Sequence, residues 1–210
     1  MPNPCFDYDR SFFSDFTEER LVDVVKSLRA SYDVAQSKCL DLDPALARRH
    51  RYNERRVWIE QNLLDNAGRI PGVKPALKFT PSGWPFVVLT CGASLMTVCY
   101  VRYPGSFPRP ARYRKQLARD AQGRLWDIGE PVPPVDAAVY GILIHTPGDV
   151  ATGVGSVHVG FPHHELDEYL STPVNLAMRF PRVYQLIRPV WLQGRPQWRE
   201  EQATGTDREQ

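Results

Sequence analysis

The stretch FVVLTCGASLMTVCYV, residues 86–101, decides the fold, because two apolar runs in it flank a turn composition. The runs are Phe86–Leu89 and Leu95–Val101, and both are rich in the β-branched and aromatic residues that strands prefer. Cys91–Ser94, with Gly92 inside it, is typical of a turn. A connection this short joins antiparallel neighbours, because a parallel crossover needs a dozen or more residues. The stretch therefore predicts a β-hairpin.

Strand-like runs continue on both sides of this hairpin. Val73–Phe79 precedes the hairpin. Between them lies Pro81–Gly83, a segment whose composition is typical of a turn. After the hairpin, AAVYGILIHT at 137–146 is a near-continuous apolar run, which is typical of a central strand covered on both faces. SVHVGF at 156–161 is its expected hairpin partner. We therefore predict an antiparallel meander of about five or six strands within residues 71–162.

Two amphipathic helices precede the strands. Apolar residues between Leu21 and Tyr32 recur at the i, i+3, i+4 and i+7 spacing of one helical face, which predicts the first helix. The second helix is expected to begin after Asp43 as its N-cap, with Pro44 at the first helical position. Gly68 is expected to end this helix in a left-handed conformation. The two helices predict an N-terminal helical hairpin packed with the meander.

The predicted architecture is α+β in a single domain, residues 1–195. Its parts are a helical part at 14–68, a sheet part at 71–162 and a mixed, irregular C-terminal part at 163–195. Residues 196–210 are polar and charged, and we expect a disordered tail there. One segment inside the sheet part, residues 112–119, fits either a helical turn or a strand.

The chain carries no pattern typical of export or of membrane insertion. Its N-terminus lacks a cationic segment followed by an apolar run. The longest apolar-leaning stretch, residues 85–101, falls short of the ~20 residues that span a bilayer. The four cysteines match no CxxC metal or redox spacing. We therefore expect reduced thiols, a cytoplasmic location and no membrane partner.

Charge is unevenly distributed, although the formal net charge is only +2. Residues 44–101 hold eight basic and three acidic side chains, and residues 102–124 hold seven basic and one acidic side chain. Residues 125–175 hold seven carboxylates and no Lys or Arg. A nearly neutral total thus conceals two basic segments followed by an acidic one.

The two basic segments predict a surface that binds phosphate groups. Arginine donates to phosphate in a bidentate geometry, and aromatic residues interleaved with arginines can stack on unpaired bases. The residues expected to bind nucleic acid or another polyanion are Arg48, Arg49, Arg51, Arg55, Arg56, Arg102, Arg109, Arg112, Tyr113, Arg114, Lys115 and Arg119. The competing interpretation is a solvated helix face, or arginines that pair with the chain's own acidic segment at 125–175.

Four of the five histidines gather with carboxylates late in the chain. If 140–146 pairs with 156–161, two of these histidines can share one side of the sheet. The expected ligands of a divalent cation such as zinc are then His145, His158, His163, His164 and Glu165. Their spacing matches no zinc motif, so a structural role is favoured over a metal site and no cofactor is predicted. Acid–base catalysis without a metal is the third interpretation of these residues.

The sequence contains no GxSxG, P-loop, HExxH or Glu-x-Lys motif. We therefore expect a non-catalytic cytoplasmic module that binds nucleic acid, or a nucleic-acid-associated partner, through residues 44–67 and 102–124. The first alternative is a protein-interaction subunit, regulatory or neutralising, of a small multi-protein system, in which charge separation steers docking. The second alternative is a metal-dependent hydrolase or nuclease that uses the His/Glu set.

Overall fold

The computed structural model describes residues 7–104, 106–122, 139–148, 153–163 and 165–187. The helices within these ranges are α1 (Tyr8–Asp15), α2 (Glu18–Ser37), α3 (Pro44–Ala67), α4 (Arg112–Gln122), α5 (Leu176–Arg179) and α6 (Pro181–Ile187). The strands are β1 (Val73–Phe79), β2 (Pro85–Cys91), β3 (Ser94–Tyr100), β4 (Val139–Pro147), β5 (Val154–Gly160) and β6 (Val174–Asn175). This arrangement of N-terminal helices and a six-stranded sheet confirms the predicted α+β class.

The N-terminal helical part contains one helix more than the sequence analysis predicted. Asp7 caps α1 by accepting a hydrogen bond from the Arg10 backbone N–H at 2.9 Å. Phe12 and Phe16, one turn apart, stack with 4.8 Å between their ring centroids. The helical part therefore begins at Tyr8, six residues before the predicted start.

α3 begins and ends at the predicted residues, but the conformation of its C-terminal cap is not the predicted one. The Asp43 carboxylate accepts a hydrogen bond from the Ala45 N–H at 2.9 Å, and Pro44 occupies the first turn. Gly68 keeps a right-handed φ of −64°, so the expected left-handed stop at this glycine is wrong. The left-handed residue is Gly72, with φ +81°, directly before β1. The chain thus continues in turns beyond the helix before it enters the sheet.

The order of strands in the sheet follows their order in the chain, from β1 to β6. Neighbouring strands are antiparallel except β3 and β4, which run parallel with Ser94 opposite Val139 and Tyr100 opposite His145. The connection between these two strands contains α4 and is long enough for a parallel crossover. The predicted meander is therefore interrupted at one pair, and residues 112–119 form a helix rather than a strand.

Hydrophobic clusters lie on both faces of the sheet. One face packs against α1, α2, α3 and α6, where Phe12, Leu28 and Leu63 are buried. The other face packs against α4 through Leu117 and Ala118. All residues of β4 before Pro147 are buried, which confirms the prediction of a central strand covered on both faces.

The ladder between β2 and β3 covers only part of each strand. Its last pair is Val88 with Thr97. Beyond this pair, Pro85–Val87 of β2 remains paired with β1, and Val98–Tyr100 of β3 remains paired with β4. The two strands therefore diverge. We call the opening between these two segments the fork.

The C-terminal part combines short elements, as predicted, with β6 followed by α5 and α6. Residues 188–195 of that part and the predicted tail at 196–210 lie outside the described residues. Within the described ranges, no helix combines the length and the apolarity that crossing a membrane requires.

Candidate functional site: an arginine-lined pocket

A cavity of about 280 Å³ opens at the fork. One face of α3, the end of β3 and the segment that leads into α4 form its walls. The residues that line it are Tyr52, Arg55, Arg56, Ile59, Glu60, Val98, Cys99, Tyr100, Arg109, Pro110, Ala111, Tyr113, Arg114 and His145. We call this cavity the arginine pocket.

One stripe of α3 supplies much of the pocket wall. Tyr52, Arg55, Arg56, Ile59 and Glu60 follow the i, i+3, i+4, i+7 and i+8 spacing of a single helical face. Ile59 is buried in the core, which fixes the rotation of the helix about its axis. The same rotation turns the two arginines and the carboxyl group towards the fork.

Arg55 is held in place by a buried aromatic pair. Its guanidinium carbon lies 4.6 Å from the centre of the Tyr32 ring, and the Tyr32 hydroxyl is 2.7 Å from Nδ1 of His145. Burial, reinforced by the charge of Arg55, lowers the pKa of His145 to about 3, so this imidazole is neutral near pH 7. The pair therefore positions Arg55 without neutralising its charge.

Two guanidinium groups of the pocket have hydrogen-bonding capacity left over. Arg114 donates from Nη1 to the Arg109 carbonyl oxygen at 2.9 Å, which ties down the segment before α4. The Nε groups of Arg114 and Arg55 are buried and have no acceptor within the described structure. A buried donor without an acceptor costs about 1–3 kcal/mol. Since both Nε groups are closed off from solvent, an anion in the pocket would meet the other N–H groups of these two side chains.

Among the described residues that line the pocket, Glu60 is the single carboxylate. It accepts the Val87 N–H at 2.6 Å, at the point where β2 has separated from β3. Burial raises the pKa of Glu60 to about 7, although the Val87 N–H and the charges of Arg56 and Arg114 act in the opposite direction. Near neutral pH this group is only partly ionised, and the pocket keeps a net positive charge.

The substitution Glu60→Gln is expected to remove a pH-dependent loss of stability. Glu60 ionises near 4.5 in the unfolded chain and near 7 in the folded protein. Between these values the folded protein keeps a proton that the unfolded chain has released, so the free energy of unfolding falls as the pH rises and levels off above about 7. Glutamine still accepts the Val87 N–H. We expect it to raise the free energy of unfolding by about 3 kcal/mol near pH 8, and by less than about 1 kcal/mol near pH 5.

Urea denaturation of the variant and the unmodified protein at both pH values measures this difference. Burial raises the pKa of Tyr113 and of Cys99, which also face Glu60, so neither ionises in this range. His145 affects both proteins equally and cancels. Asp33→Asn, which removes an exposed carboxylate of α2, is the matched control and should keep the original pH dependence. If the Glu60→Gln variant also kept the original pH dependence of the free energy of unfolding, the pKa of Glu60 would not be raised in the folded protein.

The residues predicted to bind a polyanion fall into separate groups. Those that line the arginine pocket are Arg55, Arg56, Arg109, Tyr113 and Arg114. Arg102 and Arg112 are exposed and line the two cavities next to it. Arg51 donates instead to Gln36 and to a carbonyl of its own helix. Arg48 and Arg49 belong to α3, but their side chains lie outside the description.

Lys115 and Arg119 form the last group and do not line the pocket. Both donate to Glu165, a member of the acidic segment 125–175. These hydrogen bonds lower the pKa of Glu165 to about 2. For these two cations, the competing interpretation of pairing with the acidic segment is therefore correct. None of the arginines that line the pocket forms an ion pair with a carboxylate in the described parts of the chain.

The histidines of the central strands do not meet. His145 is opposite Val157, and His158 is opposite Ile144. Because successive side chains of a strand alternate between faces, His145 and His158 lie on opposite faces of the sheet. The prediction that they share one side of the sheet is therefore wrong. The two histidines would share a side only if the register between β4 and β5 were shifted by one residue.

The side chains of His163 and Glu165, two further predicted metal ligands, bind different partners. The Nδ1 atom of His163 is 3.3 Å from the Asp167 carboxylate, and Glu168 offers an oxygen within 4.8 Å of both. Both carboxylates are exposed. Glu165 is bonded to cations of α4, and His164 lies outside the described residues. The structure thus does not assemble the predicted set of ligands.

Several residues of the pocket are not among the predicted site residues. Tyr52 and Glu60 carry an available signal, because they share the helical face of Arg55. Tyr100 and Cys99 reach the pocket only because β3 diverges from β2, and no local pattern predicts this. Burial raises the pKa of the Cys99 thiol, which makes it a packing group rather than a nucleophile.

Comparison of the chain with models of protein families, with curated proteins and with solved structures finds no match in any of the three. What the pocket binds therefore has to be inferred from its own chemistry. That chemistry consists of four guanidinium groups, three tyrosine rings and one carboxyl group whose pKa is raised to about 7.

Proposed function

We propose that this protein binds nucleic acid without catalysing a reaction on it, and that the arginine pocket holds the phosphate groups. One observation carries the proposal. Four guanidinium groups line a cavity of about 280 Å³ whose single described carboxylate has a pKa raised to about 7. Clustered charge of one sign in a concave site concentrates ions of the opposite sign. This holds even though the formal net charge of the whole chain is only +2.

The geometry of the arginines favours phosphate as the anion. Guanidinium groups present several N–H donors in a plane, which matches the oxygens of phosphate. Four such groups line the pocket, and none of them forms an ion pair with a carboxylate in the described parts of the chain. Charge-assisted hydrogen bonds of this kind are about twice as strong as neutral ones.

Aromatic rings in the same cavity favour a ligand that also contains bases. Tyr52 is 52% exposed and meets Tyr100 edge to face, with 5.2 Å between the ring centroids. The Tyr113 ring is covered by Phe86 at 4.0 Å. Tyr52 is therefore the tyrosine best placed to stack on a base. Nucleic acid supplies phosphates and rings together.

The chemistry of the pocket supports binding rather than hydrolysis. Burial raises the pKa of Cys99 and of Tyr113, which makes both poor nucleophiles near pH 7. The Nδ1 atom of His145 is engaged by Tyr32. Glu60, the one carboxylate among the described lining residues, is already bonded to the backbone of β2.

A salt titration tests the proposal. With a fluorescein-labelled oligothymidylate, we expect the logarithm of the association constant to fall linearly with the logarithm of salt concentration. Four phosphate contacts on a single strand give a slope of about −3, so a fourfold rise in salt weakens binding roughly 50-fold. Fluorescence anisotropy measures this. A slope near zero, or no binding at low salt, would contradict the proposal and leave the protein-interaction alternative as the better account.

A further inference from the structure

Two further cavities adjoin the arginine pocket and share its walls. One, of about 430 Å³, lies beside Trp84 and has Arg56, Ala111 and Tyr113 in common with the pocket. The other, of about 600 Å³, lies beside Phe107. The residues that it shares with the pocket are Tyr52, Cys99, Tyr100, Arg109 and Arg114. The three cavities therefore follow one another between α3 and the segment that leads into α4.

The cavity beside Trp84 combines a ring with cations. The Trp84 side chain is 59% exposed, and the guanidinium carbon of Arg56 lies 5.1 Å from the centre of its ring. Arg112 is exposed on the same wall. This cavity, at one end of the row of three cavities, thus combines arginines with an aromatic ring, as the arginine pocket does.

The cavity beside Phe107 repeats that composition at the other end. The Phe107 ring is fixed against Tyr169, with 4.5 Å between the ring centroids. Arg102 is exposed on the wall of this cavity, and its guanidinium carbon lies 5.2 Å from the centre of the Tyr103 ring. Arginine therefore alternates with aromatic rings along the whole row.

We infer that the three cavities form one groove that holds an extended single strand of nucleic acid. This inference deepens the proposed function and rests on it. Single-strand sites combine a cationic groove that follows the backbone with rings on which successive bases stack. A duplex keeps its base faces stacked inside, so it cannot use Trp84 or Tyr52 in this way. A mononucleotide would occupy only the central cavity, and an acidic peptide would use the arginines without the rings.

A length series tests the inference on the full chain. The probes are labelled oligothymidylates of about two to twelve nucleotides, the matching oligouridylates, and a duplex of the longest sequence. We expect affinity to rise until about six nucleotides fill the groove and then to level off. The duplex is expected to bind at least about tenfold more weakly than the single strand of equal length. Equal affinity for the two forms would overturn the inference.

The substitution Trp84→Ala adds a test that is specific for stacking. Loss of one base–ring stack is expected to weaken binding of the hexanucleotide about tenfold, while binding of the dinucleotide stays as it was. Tyr184→Ala is the matched control, because Tyr184 is an aromatic residue of α6 that is 43% exposed and lines none of the three cavities. Circular dichroism checks that both variants fold.

The outcomes separate the inference from the proposed function. Salt-dependent binding that does not grow beyond a mononucleotide, or that Trp84→Ala leaves unchanged, defeats the groove but keeps phosphate binding at the arginine pocket. Competition by polyglutamate as effective as that by the hexanucleotide also defeats it, since a peptide cannot supply bases. Failure of every probe to bind at low salt defeats both.

Discussion

Replacing Arg55 and Arg109 together with glutamine is expected to weaken binding of a labelled oligothymidylate about 100-fold at low salt. Hydrogen bonds to charged groups contribute about 1.5–3 kcal/mol each, so two of them account for roughly two orders of magnitude. The slope of the salt titration should also become shallower by about 1.4, because two phosphate contacts are lost. Neither side chain is buried in the hydrophobic core, so the fold should persist.

The control for this experiment is the double substitution Lys26→Gln and Lys38→Gln. It changes the net charge by the same amount on α2 and directly after it, and neither lysine lines the pocket. We expect its affinity to stay within about threefold of the unmodified protein, since exposed charges at a distance are screened by salt. Equal losses in the two double variants would mean that net charge, rather than the arginine pocket, drives binding.

Phe12→Ala is expected to lower the free energy of unfolding by about 3–5 kcal/mol, measured by urea denaturation. Phe12 is fully buried, stacks on Phe16 at 4.8 Å and meets Phe161 edge to face at 5.3 Å. Its removal leaves a cavity where α1 packs on the sheet. Since domains of this size are stable by about 5–15 kcal/mol, this single change removes a large part of the total.

Two further substitutions check that packing at this point is the cause. Phe79→Ala truncates a ring that is 64% exposed, and it should change the free energy of unfolding by no more than about 0.5 kcal/mol. Gly141→Ala places a Cβ atom 2.7 Å from Cε2 of Phe12, which is closer than packed atoms tolerate. We expect Gly141→Ala to lower the free energy of unfolding by about 1–3 kcal/mol, and by less when it is combined with Phe12→Leu. Purely additive costs would show that Gly141 and Phe12 are not in contact in solution.

Local periodicity explains which parts of the fold could be predicted from the sequence. α2, α3 and β4 have long, regular apolar patterns, and each was predicted. α1 carries the same spacing in Tyr8, Phe12 and Phe16, but it extends over only two turns. The direction of β4 relative to β3 could not be predicted, because it depends on where the crossover through α4 leads. The relative direction of these two strands is therefore set by how the whole core packs, not by any local pattern of residues.

The geometry of α4 determines which of its basic residues line the pocket and which pair with Glu165, and composition does not show this. Arg114 and Lys115 are neighbours in the chain, but consecutive residues of a helix face different directions, whereas residues four apart share a face. Lys115 and Arg119 therefore meet Glu165 together, while Arg114 turns towards the fork. The sequence shows that this segment is basic. Only the position of Glu165 in the folded chain determines which cations remain available.

The parallel pairing of β3 with β4 has a consequence for how the chain folds. The helical hairpin of α2 and α3 and the hairpins among β1, β2 and β3 join residues that are close in sequence, so they form with little loss of chain entropy. Contact between Ser94 and Val139 must wait until the whole crossover has been made and docked. Pairings of such long range are slow, and unpaired strand edges in partly folded chains promote aggregation. During synthesis, the edge of β3 that later pairs with β4 therefore stays open to wrong pairing until residues 139–147 have been made.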